Sequence, residues 1–320
     1  MTELSIMIEG QDGVSWPIWK RLVDEVEALG FAGMFRSDHY TNAQPPDKDS
    51  LEMIVSLTYL ADHTRRVHFG PLVSPLSFRE PTMLARQAAA IDDLSGGRMF
   101  MGLGAGWQER EHNNFGQHLG SMKERMDRFE EGVEVVTRLL SSDEPVSFDG
   151  RYFQLRDAIL LPRPHRPGGP RILIGGSGRK RTLPLVARYA SHWNAVGISP
   201  DKFRELSSYL DDLVRKEGRQ PEEVKRSVMT MVIFGRTRED LEARLQKPPY
   251  NNPAVEGKSL DEKIAFWRDE RNVLIGNGEE IAEQISAYGD GLQEIMTQWL
   301  SLDDMEGLSQ YAEDVLPRLK

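Results

Sequence analysis

The 320-residue chain has no cysteine, no excess of positive charge and no long apolar run. The absence of cysteine excludes disulfides, thiolate metal sites and thiol nucleophiles together. Asp plus Glu number 50 against 40 Lys plus Arg, and the resulting formal charge of −10 gives no electrostatic drive toward a nucleic-acid backbone. No apolar run approaches the roughly 18 residues that a membrane span requires. We therefore expect neither nucleic acid nor membrane as a partner.

Residues 1–4 carry no basic segment ahead of an apolar stretch, so a secretory signal is not indicated. Together with the missing cysteines, this predicts a cytoplasmic protein. Hydrophobic residues make up 39% of the chain and the mean hydropathy is −0.49, which is typical of a globular protein with a sizeable core. The length fits either two ordinary domains or one α/β barrel.

The dominant pattern is a short apolar run, a turn and a helical period, repeated from end to end, as in βα units. Eight such units predict one (β/α)8 TIM barrel domain spanning residues 1–320. A hairpin insertion at about 141–170 and an insertion at about 246–272, a candidate lid, interrupt the pattern. The predicted barrel strands are 4–9, 31–35, 67–74, 98–103, 171–174, 194–197, 227–234 and 294–300.

An open doubly wound sheet is the alternative architecture, because it also alternates strands and helices. Its G-x-G-x-x-G turn after the first strand is missing at residues 9–13. Glycine-rich turns follow the fourth and fifth predicted strands instead. The barrel is therefore the favoured fold.

In such a barrel the chemistry lies in the loops at the carboxyl ends of the strands. Asp38 and His39 directly follow the second predicted strand, where His39 can donate to or accept from a bound ring. Asp38 could instead cap the next turn and orient a structural histidine. Glu9 ends the first predicted strand at the same side of the barrel.

The turn at residues 104–107, Gly-Ala-Gly-Trp, lets backbone approach a ligand closely and leaves amide groups free to donate. Glu109 and Glu111 stand behind it. These two carboxylates could serve the site or could equally form a solvated loop face.

The turn at residues 175–178, Gly-Gly-Ser-Gly, precedes a helix that begins with Arg179, Lys180 and Arg181. Free amides, the helix dipole and nearby cations are suited to an anion, and we expect a phosphate there. The alternative is a tight βα turn with basic surface residues. Ser177 is a poor nucleophile candidate, because no G-x-S-x-G elbow is present.

Metal-binding patterns are missing from the sequence. There is no H-E-x-x-H motif, no H-x-H after the first strand and no cysteine ligand, and the histidines are scattered over helices and loops. We predict no dedicated metal site.

Taken together, the motifs resemble the luciferase-like flavin- or deazaflavin-dependent oxidoreductases, whose members are (β/α)8 barrels. The resemblance covers nearly the whole chain, and it looks strongest toward the branch that uses coenzyme F420, a deazaflavin hydride carrier. The motifs are FRSDH at 35–39, GPLV at 70–73, LSGGR at 94–98, GLGAGW at 102–107 with EH at 111–112, and IGGSG at 174–178 followed by ARYA at 187–190.

This resemblance implies a non-proline cis peptide between Leu72 and Val73, in a bulge that backs the central ring of the cofactor. It places His39 and Asp38 near the ring edge and the phosphate at the turn of residues 175–178. The implied cofactor-binding residues are Asp38, His39, Leu72, Val73, Ser74, Gly104, Ala105, Gly106, Trp107, Gly175, Gly176, Ser177 and Gly178.

The chain departs from the sugar-phosphate dehydrogenases that share this pattern. Those enzymes have a Glu where this sequence has Trp107 and a Trp where it has Ala43, so the acid assigned to proton transfer is missing. Glu9, Glu109 and His39 are the candidates for the acid or base, and Asp38 completes the predicted catalytic set. The sugar-phosphate substrate is not carried over.

The predicted function is hydride transfer between F420 and a small organic substrate, with His39 assisting protonation. The alternatives are an FMN-dependent monooxygenase that uses reduced flavin and oxygen, and a non-catalytic flavin- or deazaflavin-binding protein. Trp107, Trp193, Trp299 and the insertion at 246–272 could form an apolar substrate pocket or belong to the core. By analogy with the family we expect a homodimer through helices of the second and third units.

Overall fold

Eight parallel strand positions form a barrel in the computed structural model, which describes residues 2–319. The predicted TIM-barrel fold is confirmed. The third barrel position consists of two strand pieces, a separate antiparallel hairpin follows the fourth, and one short strand extends the sheet beside the seventh. In chain order the strands are β1 (Glu3–Ile8), β2 (Gly33–Arg36), β3 (His68–Pro71), β4 (Ser74–Pro75), β5 (Phe100–Gly104), β6 (Val146–Asp149), β7 (Gln154–Ala158), β8 (Arg171–Gly175), β9 (His192–Val196), β10 (Lys225–Phe234), β11 (Leu274–Gly276) and β12 (Glu294–Gln298).

The barrel closes between its third strand and β5. Neighbouring strands follow the order β3, β2, β1, β12, β10, β9, β8, β5, β4, and at the far end of that order β4 pairs with β5. Phe69 of β3 also bridges to Met99, just before β5, so the two ends of the sheet meet. Leu72 and Val73 lie between β3 and β4, and their peptide bond is cis, as the resemblance implies.

The helices form an outer layer and begin and end at recognisable capping residues. The first follows Ser15, has Pro17 in its first turn, and ends at Gly30, whose φ of 92° is left-handed. A capping box between Ser121 and Glu124 starts the longest helix. The helices are α1 (Trp16–Leu29), α2 (Met53–His63), α3 (Pro81–Ser95), α4 (Glu109–Asn114), α5 (Met122–Ser141), α6 (Thr182–Tyr189), α7 (Pro200–Lys216), α8 (Arg238–Leu245), α9 (Leu260–Ala265), α10 (Gly278–Ser286) and α11 (Met305–Val315). Among residues 2–319, no helix combines the length and the apolar character that crossing a membrane requires.

The insertion at residues 246–272 packs against the upper end of β10. It contains α9 and the π-helical turn Phe266–Glu270. Phe266 and Trp267 belong to a separate hydrophobic cluster with Ile233 of β10 and Ile275 of β11. The sequence did not reveal β11, because three residues are too few to display an alternating pattern.

Side chains alternate between the barrel interior and the helix layer along each strand. Met7 of β1 and Met296 of β12 belong to the interior cluster, whereas Ile6 and Ile295 pack with the helices. The same alternation continues to the carboxyl ends of the strands. Interior positions at those ends therefore point into the open end of the barrel, here called the mouth.

Candidate active site

His39 and Glu111 form a hydrogen-bonded pair in the mouth. The imidazole Nδ1 donates to Glu111 Oε1 at 2.9 Å, and the other carboxylate oxygen accepts from the Tyr40 amide at 3.0 Å. Burial lowers the pKa of His39, but the hydrogen bond to Glu111 and the charges of Glu111, Glu9 and Asp38 outweigh it, so its pKa is raised. His39 is thus held ready to carry a proton.

Glu111 was not among the predicted catalytic residues. It belongs to the EH motif at 111–112, which stands behind the glycine turn of residues 104–107. This motif was the feature of the sequence that could have identified Glu111 as a site residue. Its partner lies 72 residues away in sequence, so only the closed barrel reveals the pairing. Glu109, which was predicted, is exposed in the first turn of α4. The structure does not bring Glu109 together with His39.

Asp38 links the loop after β2 to Ser74 of β4 and to Arg79 by hydrogen bonds. Its carboxylate accepts from Arg79 Nε at 2.9 Å, from Arg79 Nη2 at 2.6 Å and from Ser74 Oγ at 3.0 Å. The side chain is 3% exposed. Arg79 also binds Glu52, at the start of α2, at 2.8 Å. These bonds fix the loop that carries His39 and occupy both oxygens of Asp38, which favours a positioning role over proton transfer.

Glu9 follows β1 and is held by neutral amide donors. Its Oε2 accepts from Gln11 Nε2 at 2.8 Å, and its Oε1 accepts from Gln298 Nε2 of β12. Ser37 donates to the Gln11 side-chain oxygen at 2.6 Å and extends this network toward β2. Among residues 2–319, no cationic side chain lies within ion-pair distance of Glu9.

Val73 is packed between the ends of two neighbouring strands that carry glycine. A Cβ built on Gly104 would lie 2.4 Å from Val73 Cγ2, and one on Gly175 would lie 3.1 Å from Val73 Cγ1. The third strand therefore approaches β5 and β8 too closely for a side chain at Gly104. Leu72 belongs to the interior cluster and Ser74 holds Asp38.

The turn after β5 ends in an exposed aromatic ring. Gly106 has a φ of 82°, and its carbonyl accepts from Arg125 Nη1 at 3.0 Å. Trp107 is 62% exposed, and its ring packs edge-on against His39 with 5.5 Å between the centroids. Trp107 thus borders the His39–Glu111 pair on the solvent side. Ala105 is half-buried beside it.

The turn at residues 175–178, predicted to hold a phosphate, has some backbone amides bonded within the protein and others free. The Gly176 amide donates to Asn194 O at 2.9 Å, and the Gly176 carbonyl accepts from Trp193 Nε1 at 2.8 Å. By contrast, no backbone carbonyl of residues 2–319 accepts from the amides of Ser177 or Gly178. These two amides therefore have no backbone partner in the described chain.

The basic side chains next to this turn are paired elsewhere. Arg181 binds Asp127 and Glu130 of α5, and Arg179 binds Glu205 of α7. Lys180 is exposed. The sequence indicated three cations converging on the turn, but two of the three are neutralised by acids on neighbouring helices.

Two of the tryptophans considered for a substrate pocket belong to the core. Trp193 is 0% and Trp299 is 1% exposed. Beside Trp193, the fully buried Asn194 donates from Nδ2 to Ser227 Oγ at 2.9 Å, while its Oδ1 has no hydrogen-bond partner in the described chain. Asn194 shares the interior face of β9, so this free acceptor lies beneath the mouth.

The opposite end of the barrel holds an acidic cluster. Glu3, His68 and Glu294 lie close enough to share a cation. Lys225 Nζ is 2.7 Å from Glu294 Oε2 and also binds Glu3. The ammonium group of Lys225 therefore supplies the positive charge of this cluster. The cluster is an ion-pair network at the end of the barrel opposite the mouth.

A family model described as luciferase-like monooxygenase matches residues 8–309. Among curated proteins, the F420-dependent glucose-6-phosphate dehydrogenase of Amycolatopsis mediterranei (strain U-32) is 28% identical over 314 residues, which cover 92% of this chain and 92% of that relative. The 4-hydroxyprotoasukamycin monooxygenase of Streptomyces nodosus subsp. asukaensis is 24% identical over 331 residues, which cover 94% and 86%.

Among solved structures, an F420-dependent secondary alcohol dehydrogenase in complex with an F420-acetone adduct has a TM-score of 0.81 to this chain at 18% identity. The match covers 100% of this chain and 99% of that chain. At this level of identity the likeness bears on the fold, and it agrees with the TIM barrel described above.

Proposed function

Because the chain belongs to the luciferase-like monooxygenase family, we propose that it is an oxidoreductase that transfers a hydride between coenzyme F420 and a small organic substrate. The observation that carries the proposal is the His39–Glu111 pair, 2.9 Å apart in the barrel mouth. The relative named as an F420-dependent dehydrogenase, similar over 92% of the chain, supports F420 as the cofactor. The family resemblance expected from the five motifs is confirmed by the family match.

The residues of the mouth fit a planar cofactor with an anionic tail. Val73, flanked by Gly104 and Gly175, offers a wall on which a flat ring can lie, because neither glycine adds a side chain there. The amides of Ser177 and Gly178 offer donors for a phosphate. When bound, F420 supplies or accepts the hydride. The buried Oδ1 of Asn194 is an acceptor that still requires a partner.

His39 holds the proton that the reaction exchanges with the substrate. Glu111 accepts from Nδ1, so Nε2 is the ring nitrogen left to face a ligand. The raised pKa keeps more of the imidazole protonated near neutral pH. His39 is 16% exposed, which lets solvent restore its proton.

Asp38 and Glu9 act on the His39 proton indirectly, Asp38 by positioning His39 and Glu9 by its negative charge. Asp38, clamped by Arg79, holds the loop that carries His39. Glu9 adds negative charge that favours the protonated imidazole. The exposed Glu109 has no role in the proposal.

The second candidate function is an FMN-dependent monooxygenase. The family description and the monooxygenase of Streptomyces nodosus subsp. asukaensis favour it. The two functions differ in the cofactor that the same mouth accepts.

The test is to purify the protein, record the absorption spectrum of any cofactor that remains bound, and titrate the apoprotein with F420 and FMN by fluorescence. We expect F420 to bind at least ~10-fold more tightly, equivalent to about 1.4 kcal/mol. Tighter binding of FMN would establish the second candidate instead. F420 that binds but is never bleached or reduced with any donor would indicate a non-catalytic binding protein.

The role of His39 is tested separately. We expect His39→Ala to lower kcat by roughly 10²-fold or more while the F420 dissociation constant stays close to that of the wild type. Full turnover with normal cofactor affinity would remove His39 from the mechanism.

The assembly and domain predictions form part of the same proposal. β1 and β12, from opposite parts of the chain, are barrel neighbours, which supports a single domain.

Val55 on α2 and Met83 on α3 are each 52% exposed, which supports a homodimer through these helices. We expect Val55→Asp combined with Met83→Asp to convert a dimer into a monomer in sedimentation velocity; a monomeric wild type would contradict this. The cytoplasmic location stays a prediction.

A further inference from the structure

The mouth has two halves that differ in the residues they present. The residues assigned to the cofactor lie in β4 or at the carboxyl ends of β2, β3, β5 and β8, on one side of the barrel. The strands β9, β10, β12 and β1 close the other side, and they are consecutive neighbours in the sheet. This second group, here called the substrate half, is the part of the mouth that remains for a second ligand.

Strand alternation identifies the side chains of the substrate half. Interior positions on β9 are His192 and Asn194, so Val196 is the next, and it is 51% exposed at the strand end. On β10 the interior positions Ser227 and Met229 lead to Met231. Val196 is in register with Met229, so the two side chains are neighbours.

On β12 and β1 the same rule leads to Gln298 and Glu9. Met296 and Met7 belong to the interior cluster, and each strand continues two residues further to one of these polar side chains. Gln298 is in register with Met231 and donates to Glu9. The substrate half therefore consists of an apolar wall beside a single polar corner.

The insertion makes this wall more apolar. Met231 packs against the cluster that contains Phe266, Trp267 and Tyr250, and Leu300, just beyond β12, packs against the same cluster. A ligand lying between Val196 and Met231 thus contacts aliphatic and thioether groups.

Glu9 is the one charged side chain among the four strand-end positions Val196, Met231, Gln298 and Glu9 of the substrate half. Glu9 is half-buried and held by the neutral amides of Gln11 and Gln298. Arg36 on neighbouring β2 is 1% exposed; it donates to Ser37 O and Ser56 Oγ, and its charge acts on Glu9 without a hydrogen bond between them. An anionic group placed beside Glu9 would meet a like charge in a partly desolvated site.

We propose that this site takes an uncharged substrate with an apolar body and one hydrogen-bonding oxygen, and that it discriminates against phosphorylated sugars. The apolar body lies on Val196 and Met231, and the oxygen turns toward the corner bordered by His39, Glu9 and Gln298. The proposal rests on the proposed function, since it names the molecule that shares the mouth with the cofactor. It separates this chain from relatives named for glucose 6-phosphate.

The experiment measures binding by calorimetry, with 2-heptanone and glucose 6-phosphate as probes, on protein saturated with oxidised F420. We expect a dissociation constant at least tenfold lower for 2-heptanone. Saturation with F420 is verified first by titration, which separates the two proposals. Failure of F420 to bind contradicts the proposed function, whereas bound F420 with no preference for the ketone overturns only this inference.

The introduction of a positive charge provides the second arm. Met231→Lys introduces a cation beside Gln298, and we expect it to weaken 2-heptanone and to strengthen glucose 6-phosphate binding at least fivefold. Ile159→Lys is the matched control, because Ile159 is 43% exposed near the hairpin, away from the barrel strands. Thermal unfolding confirms that each variant is folded. An equal gain in the control would overturn the assignment of Met231.

If wild-type protein binds glucose 6-phosphate as tightly as 2-heptanone, the substrate class would be anionic, and the inference would be wrong.

Discussion

Nδ1 of His39 lies 2.9 Å from Oε1 of Glu111, a carboxylate that is 1% exposed and stands 72 residues further along the chain. The Tyr40 amide fixes the other carboxylate oxygen at 3.0 Å. Glu111 is therefore oriented by the protein itself, before any ligand binds. Because an oriented carboxylate stabilises the imidazolium, Glu111 controls how readily His39 gives up its proton.

The first prediction concerns the pKa of His39. Replacing Glu111 with Gln keeps an oxygen acceptor but removes the charge, so the pKa of His39 should fall from its raised value. Because His39 acts as the proton donor, the alkaline limb of the kcat profile should move to lower pH with it. A histidine NMR titration measures the change. Glu109→Gln, on the exposed side of α4, should leave the pKa of His39 unaltered. An unchanged pKa in Glu111→Gln would show that the pair does not set it.

The second prediction follows from linkage. The pKa of folded His39 lies above its ordinary value of 6.5, so the pair stabilises the fold fully below pH 6.5 and loses that contribution as the pH rises through the raised folded pKa. The difference in Tm between the wild type and Glu111→Gln should be largest at about pH 5.5 and should narrow toward about pH 9. Calorimetric melts across this range provide the measurement. A difference that widens with pH would contradict the sign.

The third prediction compares a buried ion pair with an exposed one. Asp38→Ala removes a 3% exposed carboxylate and leaves the guanidinium of Arg79 without its main partner, which should cost about 3 kcal/mol of unfolding free energy. Arg21→Ala breaks an exposed pair with Asp303 and should cost at most about 1 kcal/mol. Urea unfolding of the two variants tests the contrast, and equal losses would refute it.

The fourth prediction concerns the close approach of β5 to the third strand. The Cβ of Gly104→Ala would lie 2.4 Å from Val73 Cγ2, so Val73 must move, at a cost of about 1–3 kcal/mol and with weaker F420 binding. Gly291→Ala is the control, since its Cβ meets its first neighbour at 3.9 Å. Chemical denaturation and cofactor titration are the measurements. Wild-type stability in Gly104→Ala would mean that Val73 is not confined.

Most of the fold could be predicted from the sequence because its signals are local. The apolar runs that became β1 and β10, and the apolar stripe of α5, depend only on the period of neighbouring side chains. The position of His39 after β2 follows from the same rhythm, since a parallel barrel collects the carboxyl ends of its strands at one mouth. The cis peptide between Leu72 and Val73 came from the family resemblance and agrees with the structure.

The partners of the site residues could not be predicted in this way. Arg179 and Arg181 read as anion-binding cations in the sequence, yet acids on α7 and α5 neutralise them. Glu109 and Glu111 are two residues apart and looked equivalent, but one faces solvent while the other meets His39.

By itself, the sequence determined the number of βα units, the end of the barrel that carries the chemistry and the exclusion of thiol chemistry, because each depends on residue type or short-range spacing. The tertiary structure alone decided that Glu111 joins His39, that Asp38 is held by Arg79 and that Glu9 is left with neutral partners beside Gln298. Each of these contacts joins residues from separate βα units. Such contacts exist only once the barrel has closed, because closure brings distant strand ends within hydrogen-bonding distance.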